Sequence, residues 1–336
     1  MMNELHIATR PYLDTLTSRR ADETKLGEQI QTVHSDNWEE ELKNSTATFV
    51  LLGIPEDIGV RANYGIGGAH TLWDPALKAL VNVQHTEILT GESLLLLGSM
   101  DFSKLMQQSA EADIVGLREL VAHIDAAVTP VIEKIILAGK VPIVIGGGHN
   151  NAYPLLQGSS MAYALQVNCI NLDAHSDYRA IEGRHSGNGF RYAKQKGYLD
   201  KYAIVGLHEN YNSQNIISKL ANDPDLHYSF YEDIFIREKL TFTTAINDAL
   251  THTTGKPRGI EIDLDCIERT LSSAATPSGI TPLQARQYVH LCSLAGNAAY
   301  LHITEGAVQL GNGREDPLTA KLAAYLITDF IKTYVK

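Results

Sequence analysis

Four apolar segments of the sequence run directly into residues that bind metals or carry protons. The segments are VPIVI, VNCINL, GIEI and YLHIT, and each has the length and apolar character of a buried strand. In open α/β sheets, ligands bind at the carboxyl ends of the strands. The candidate site residues that follow these segments are His149, Asp173, His175, Asp177, Asp263, Asp265 and Glu305.

The DAHSD segment places its two acids and its imidazole at alternating positions. At a strand end, this i, i+2, i+4 spacing projects all three side chains towards one side. The two acids of DLD, Asp263 and Asp265, have the same two-residue spacing. His149 follows three glycines, which allow the backbone to turn tightly and approach other groups closely.

Together these motifs contribute two imidazoles and four aspartates. Four carboxylates at one strand edge would repel one another, and some would take up protons unless cations neutralised them. Two divalent ions about 3.5–4 Å apart meet this requirement and form a hydrolytic centre. Nitrogen and oxygen ligands without a thiolate suit Mn²⁺, although Zn²⁺, Co²⁺, Ni²⁺ and Fe²⁺ stay open. The three motifs in this order therefore predict a site for two divalent metal ions, with Mn²⁺ as the expected ion.

The series GGGH, DAHSD and DLD resembles the ureohydrolase superfamily, which includes arginases, agmatinases, guanidinobutyrases and formimidoylglutamases. The resemblance extends over about residues 45–335. It implies that one ion is held by His149, Asp173, Asp177 and Asp263. It implies that the other is held by His175, Asp173, Asp263 and Asp265. Asp173 and Asp263 would then bridge the two ions.

Strand-like runs alternate with helical patterns along most of the chain, which predicts a doubly wound α/β sheet. The resemblance implies a three-layer α/β/α fold with a mainly parallel, roughly eight-stranded sheet. We expect residues 46–336 to form a ureohydrolase-type catalytic domain and residues 1–45 to form an N-terminal helical extension. The predicted strands are Thr48–Gly53, Ser93–Leu97, Val141–Ile145, Val167–Leu172, Tyr202–Gly206, Leu226–Phe230, Gly259–Ile262 and Tyr300–Thr304.

Members of this superfamily hydrolyse a C–N bond of a guanidine or an amidine by attack of a metal-bridging hydroxide. The resemblance implies that Asp177 is both a ligand and the proton acceptor that passes a proton to the leaving nitrogen. It implies that Glu305 binds the cationic nitrogen of the substrate.

Several loop residues bear on the substrate. Arg179 follows the ligands in DAHSDYR, where formimidoylglutamases resemble DAHFDLR and arginases carry Asn, and its guanidinium could bind a substrate carboxylate. Arg61 belongs to a PEDIGVRAN segment that looks like the formimidoylglutamase pattern and could lie at the pocket mouth. Ser186 and Asn188 match substrate-contacting residues of arginases, and Glu209 lies where arginases hold the substrate α-amino group.

These features favour N-formimino-L-glutamate, cleaved to L-glutamate and formamide in histidine breakdown. Agmatine, arginine, a guanidino acid and guanidine stay open as substrates, because the SGNGF loop departs from the usual formimidoylglutamase loop. A non-catalytic regulatory member of the fold is a further alternative, although such a protein would be expected to lose metal ligands. A deacetylase of the histone type, which shares the fold, is disfavoured because the chain has no His-His pair.

Composition excludes several other classes of protein. The 336 residues include 28 Lys+Arg and 39 Asp+Glu, a net charge of −11, which argues against nucleic acid and anionic membranes as partners. No apolar run approaches the roughly 18–20 residues of a membrane span. Three separated cysteines without a CxxC motif, and no apolar leader, favour a cytoplasmic protein with reduced thiols. We expect a small-molecule substrate, and the resemblance implies a homo-oligomer, a trimer or hexamer.

Overall fold

A single mixed sheet forms the centre of the protein. The computed structural model describes residues 4–335, and ten strands pair within that range. They are β1 (Leu5–Ile7), β2 (Gln31–Thr32), β3 (Phe49–Gly53), β4 (Leu94–Met100), β5 (Val141–Ile145), β6 (Val167–Leu172), β7 (Leu199–Leu207), β8 (Leu226–Phe230), β9 (Arg258–Asp263) and β10 (Ala298–Thr304).

The order of the strands explains why the candidate ligands meet. The sheet runs β1-β4-β3-β5-β10-β9-β6-β7-β8, with β2 also paired to β4. All pairs are parallel except β1 with β4. The four strands that precede the candidate residues, β5, β10, β9 and β6, are consecutive neighbours in the middle of the sheet. Their carboxyl ends therefore lie at one edge, where residues distant in sequence converge.

Helices follow most of the strands. They are α1 (Arg10–Leu16), α2 (Leu26–Gln29), α3 (Trp38–Asn44), α4 (Ile58–Arg61), α5 (Trp73–Val81), α6 (Ser103–Gln108), α7 (Ile114–Leu137), α8 (Ala152–Tyr163), α9 (Gly189–Gln195), α10 (Gln214–Asn222), α11 (Tyr231–Phe235), α12 (Phe242–His252), α13 (Pro282–Leu294) and α14 (Leu318–Thr333).

Helices cover both faces of the sheet. Along β3, Phe49 and Leu51 belong to one buried apolar cluster, and Val50 and Leu52 belong to another. The first cluster includes buried residues of α5, α12, α13 and α14, and the second includes those of α7, α8 and α9. Because successive side chains of a strand point to opposite faces, the two clusters lie on opposite sides of the sheet. The predicted three-layer α/β/α fold is confirmed.

The N-terminal segment is more than the predicted helical extension. Residues 4–45 contain α1, α2 and α3, but they also contribute β1 and β2, which both pair with β4. The sheet therefore has ten strands within the described residues rather than about eight. Strands of three and two residues are too short to produce a recognisable apolar pattern. The boundary between residues 45 and 46 stays a prediction, and residues 1–3 and 336 lie outside the described range.

None of the helices between residues 4 and 335 combines the length and the apolar character that crossing a bilayer requires.

Candidate metal centre

The buried carboxylate of Glu56 fixes the glycine-rich loop that follows β5 and carries His149. Glu56 accepts hydrogen bonds from the backbone N–H of Gly148 at 3.1 Å and from Nδ2 of Asn151 at 2.7 Å. Gly147 has a φ of +77°, and a Cβ there would lie 2.9 Å from Oε1 of Glu56. Glycine is therefore required for both conformation and space. The loop delivers His149, which is fully buried, to the end of the sheet.

Nδ1 of His149 faces three aspartates. It lies 2.9 Å from Oδ2 of Asp177, 3.1 Å from Oδ2 of Asp263 and 3.4 Å from Oδ2 of Asp173. Ligand atoms of these four residues all lie within 4.8 Å of one another, and all four are buried. They are the residues predicted to hold the first ion.

A second group lies beside the first one. Nδ1 of His175 is 3.1 Å from Oδ2 of Asp265 and 3.6 Å from Oδ1 of Asp173. Asp173 thus directs one oxygen to each group, which is the position of a bridging ligand. Asp263, the other predicted bridge, faces His149, and its Oδ1 accepts the backbone N–H of Asp265 at 2.8 Å.

The charges of the two groups fit a pair of divalent ions. Burial, followed by the charge of Asp173, raises the pKa of Asp177 to about 6. Burial and the charges of Asp265 and Asp173 also raise the pKa of Asp263 well above its usual value. Oδ1 of Asp265 is buried without a hydrogen-bond partner in the described part of the chain. Two imidazoles cannot neutralise four aspartates, so the site as a whole lacks balancing positive charge. Its imidazole nitrogens and carboxylate oxygens are ligands that suit divalent metal ions.

Two residues of the site have unusual backbone conformations. Asp177 has a φ of +46° and Glu305 a φ of +61°, both in the left-handed region that non-glycine residues rarely adopt. Oε1 of Glu305 accepts the backbone N–H of His149 at 2.8 Å. Burial raises the pKa of Glu305 to about 8. Strain of this kind is concentrated at functional sites.

A cavity of about 410 Å³ opens onto the two groups. His175, Asp177 and Glu305 contribute to its lining, and so do Arg179 and Ser186. Its volume lies in the usual range of about 300–1,000 Å³ for small-molecule sites. The arrangement can therefore bind a small molecule next to a metal centre.

Comparison with known proteins decides the family. The model of the arginase family matches residues 47–332. This chain belongs to the arginase family.

The relatives within this family include formimidoylglutamases. The chain is 29% identical to formimidoylglutamase of Hahella chejuensis over 187 residues, which spans about half of each protein (53% of this chain and 52% of the relative). It is 24% identical to formimidoylglutamase of Staphylococcus aureus over 328 residues, 94% of this chain and 97% of the relative. The crystal structure of Trypanosoma cruzi formiminoglutamase with Mn²⁺ superposes with a TM-score of 0.73 at 20% identity, covering 94% of this chain and 100% of that one. This last similarity shows a shared fold.

Two of the predicted substrate residues of this arginase-family chain line the cavity. The guanidinium of Arg179 has no hydrogen-bond or ion-pair partner within residues 4–335, so it is available to an anion. Oγ of Ser186 accepts a hydrogen bond from Nδ2 of Asn63 at 3.4 Å, and both residues line the cavity.

Arg61 and Asn188 do not reach the cavity. Nε of Arg61 donates to Oδ1 of Asp57 at 2.8 Å, and the guanidinium also donates to the carbonyl of Ser109 at 3.0 Å. The buried side chain of Asn188 accepts from Arg184 at 2.8 Å and donates to backbone carbonyls of its own loop. Internal hydrogen bonds engage both side chains, and their predicted substrate contacts stay predictions.

Glu209 also lies away from the cavity lining. Its carboxylate pairs with the guanidinium of Arg237 through two hydrogen bonds, of 2.8 and 2.7 Å, on the surface. The structure therefore places Glu209 in a surface ion pair, and its predicted substrate contact stays a prediction.

Sequence reasoning missed a buried cluster next to His149. Oε2 of Glu261 lies 3.4 Å from Nε2 of His149 and 2.6 Å from Nδ1 of His302. The hydroxyl of Tyr300 donates to Oε1 of Glu261 at 2.7 Å. All four side chains are fully buried. The available indication in the sequence was an ionisable residue inside each of two otherwise apolar strands, GIEID and YLHIT.

Proposed function

We propose that this protein is a binuclear-metal hydrolase that cleaves N-formimino-L-glutamate to L-glutamate and formamide. The observation that carries the proposal is the guanidinium of Arg179, which has no ion-pair partner within residues 4–335 and lines the same cavity as the two groups of candidate ligands. The substrate has an amidine to be cleaved and carboxylates to be bound. Similarity to formimidoylglutamases over almost the whole chain supports the same substrate.

The residues around the cavity have separate tasks in this reaction. His149, Asp173, Asp177 and Asp263 would hold one ion, and His175 and Asp265 would complete the site of the second. Two such ions, which we propose to be Mn²⁺, supply Lewis acidity and activate water near neutral pH.

Asp177 has the properties of a general base. It lines the cavity, and its Oδ2 lies 2.9 Å from Nδ1 of His149, so the carboxylate faces both the candidate ligands and the space for a substrate. We expect it to accept a proton from the attacking water and to return it to the leaving nitrogen.

Glu305 has the properties of a binding group for the amidine. Its Oε1 is occupied by the backbone N–H of His149, while Oε2 has no hydrogen bond within residues 4–335. A cationic amidinium beside Oε2 would favour the charged carboxylate and lower the pKa of Glu305 from about 8.

Arg179 distinguishes acidic from basic substrates. A guanidinium binds a carboxylate through two parallel hydrogen bonds, which are strong and directional. Agmatine has no carboxylate and would gain nothing from this residue. We therefore expect acidic amidines to be preferred.

A guanidino acid is the second candidate substrate. Arg179 is the one arginine in the cavity lining of the described residues, and Arg61 is held by Asp57 and Ser109. One guanidinium is sufficient for a substrate with one carboxylate, whereas formiminoglutamate has two.

A substrate panel tests the proposal. Enzyme loaded with Mn²⁺ is assayed for kcat/KM on formiminoglutamate, 4-guanidinobutyrate, arginine, agmatine and guanidine. We expect the highest value for formiminoglutamate, with formamide as a product. A higher value for 4-guanidinobutyrate would support the second candidate. A metal-loaded protein without activity on any of them would favour the regulatory alternative.

The proposal also covers the oligomeric state of the protein and its cellular compartment. We expect a trimer or hexamer, as the family resemblance implies, and sedimentation velocity would measure its size. Cys169, Cys266 and Cys292 are buried and unpaired, which supports a reducing compartment such as the cytoplasm.

A further inference from the structure

A buried carboxylate lies at the nitrogen of His149 that does not face the aspartates. Glu261 of β9 and His302 of β10 are direct partners in the register of the two parallel strands. Both side chains have no exposed surface. Oε2 of Glu261 is 3.4 Å from Nε2 of His149, and this Nε2 has no aligned hydrogen-bond partner within the described residues.

Two neighbours hold the carboxylate of Glu261 in place. The hydroxyl of Tyr300 donates to Oε1 at 2.7 Å, and Nδ1 of His302 lies 2.6 Å from Oε2. Nε2 of His302 is 3.4 Å from the carbonyl oxygen of Gly146, so an acceptor faces each nitrogen of this ring. Both oxygens of Glu261 are therefore engaged, and the carboxylate keeps one orientation relative to His149.

We infer that Glu261 is a positioning residue for metal binding, which accepts the Nε2–H of His149 and leaves Nδ1 unprotonated for the ion. Metal-binding histidines generally donate their second N–H to a carboxylate or carbonyl, which fixes the tautomer and the ring orientation and increases the basicity of the ligand. The inference rests on the metal centre of the proposed function and is independent of its substrate.

The contact between Glu261 and His302 argues for a proton rather than a third ion between them. His149, Glu261 and His302 offer ligand atoms within 4.8 Å of one another. However, a separation of 2.6 Å between Nδ1 and Oε2 is a hydrogen-bond distance, and two ligands of one ion lie farther apart than this.

The two imidazole ligands are supported differently. His175 is partly exposed, and its ring stacks on Tyr211 with centroids 5.1 Å apart. Ring stacking orients an imidazole but offers no anionic acceptor. Glu261 therefore affects the His149 group selectively, and its removal is expected to weaken one of the two ions more than the other.

Metal titration of a matched pair of variants tests the inference. Glu261→Gln removes the charge at nearly constant volume, and Tyr300→Phe removes the other hydrogen bond to the same carboxylate without touching His149. Binding of Mn²⁺ to metal-stripped protein is measured by calorimetry. We expect Glu261→Gln to weaken one ion by about 10- to 100-fold, and Tyr300→Phe to change either ion by less than about 3-fold. Equal affinities in Glu261→Gln and wild type, or equal losses in the two variants, would overturn the inference.

A measurement on the wild type is independent of how the variants fold. In Zn²⁺-loaded protein with ¹⁵N-labelled histidine, we expect His149 to carry its proton on Nε2. An unprotonated Nε2, or a third bound ion per chain, would contradict the inference. Wild-type protein that binds no ion would refute the proposed function itself. Wild type with two ions and an unaffected Glu261→Gln variant would refute the positioning role alone.

Discussion

Oδ2 of Asp263, the last residue of β9, lies 3.1 Å from Nδ1 of His149, which follows β5, in a buried contact. The contact exists because β5 and β9 both border β10. The other oxygen of Asp263 accepts the N–H of Asp265. The carboxylate thus connects the two groups of candidate ligands.

Replacing Asp263 by Asn is expected to impair both ions. The amide is a neutral and weaker ligand, and the remaining acids cannot compensate for a lost bridge. We expect kcat/KM to fall by about 10³-fold or more, since metals supply several kcal/mol of transition-state stabilisation. Metal content and activity are measured together. A variant that keeps two ions and full activity would disprove the bridging role.

Replacing Arg179 by Ala is expected to affect acidic substrates selectively. Loss of a charged hydrogen-bond pair of about 3 kcal/mol lowers kcat/KM for formiminoglutamate by about 10²-fold. Any activity on agmatine, which has no carboxylate, should be unchanged. Arg314→Ala is the control, because Arg314 is an exposed arginine that does not line the cavity. An equal response of both substrates would remove the main argument for an acidic amidine.

Replacing Glu209 by Gln is expected to leave catalysis unchanged. The substitution weakens an exposed ion pair with Arg237, and such pairs contribute little. We expect kcat/KM to stay within about 2-fold of wild type for every substrate in the panel. A fall of tenfold or more for arginine alone would show that Glu209 contacts the substrate, as the comparison with arginases had suggested.

The stability of metal-stripped protein is expected to decrease as the pH rises. Burial raises the pKa of Glu305 to about 8, and burial with the charge of Asp173 raises that of Asp177 to about 6. The folded state then binds more protons than the unfolded chain above pH 3.8 for Asp177 and above pH 4.5 for Glu305. Stability is therefore lost as each carboxyl ionises.

His149 and His175 also make the metal-stripped protein less stable as the pH rises, at higher pH values than the two carboxyl groups. Burial lowers their pKa values, but the neighbouring carboxylates outweigh it, so the pKa values of His149 and His175 are raised well above 6.5. The lowered pKa values of His185, His208 and His227 oppose this loss below about pH 6.5. Scanning calorimetry of the stripped protein should therefore show Tm falling between about pH 6.5 and pH 8, with recovery when Mn²⁺ is added. A constant or rising Tm would contradict this arrangement of charges.

The sheet was largely predictable because its strands are buried on both faces. Val141–Ile145, Val167–Leu172 and Leu226–Phe230 have the predicted bounds. Continuous apolar runs of this length are typical of central parallel strands. Helix α8 was missed, because Pro154 and Gly158 interrupt its pattern. A Cβ on Gly158 would lie 2.6 Å from the carbonyl oxygen of Thr129, so tertiary packing requires a residue that lowers helix propensity.

The candidate site was predictable where strand order brings its residues together. Candidate ligands at the carboxyl ends of neighbouring parallel strands converge because the sheet itself brings those ends together. Arg61 and Glu209 were different, since their partners Ser109 and Arg237 come from segments whose proximity no local pattern reveals. Glu261 was overlooked because it lies within a strand rather than at its end.

The left-handed backbone conformations of Asp177 and Glu305 lower the stability of the fold at the positions of two candidate site residues. Glycine at either position would relax the main chain and reduce repulsion between buried carboxylates, but it would remove the side chains that we propose to exchange protons and to bind the substrate. Selection for thermal stability alone would therefore favour substitutions at these two positions that stabilise the protein and reduce its activity. Variants selected in the laboratory for thermal stability should therefore also be assayed for activity at every round.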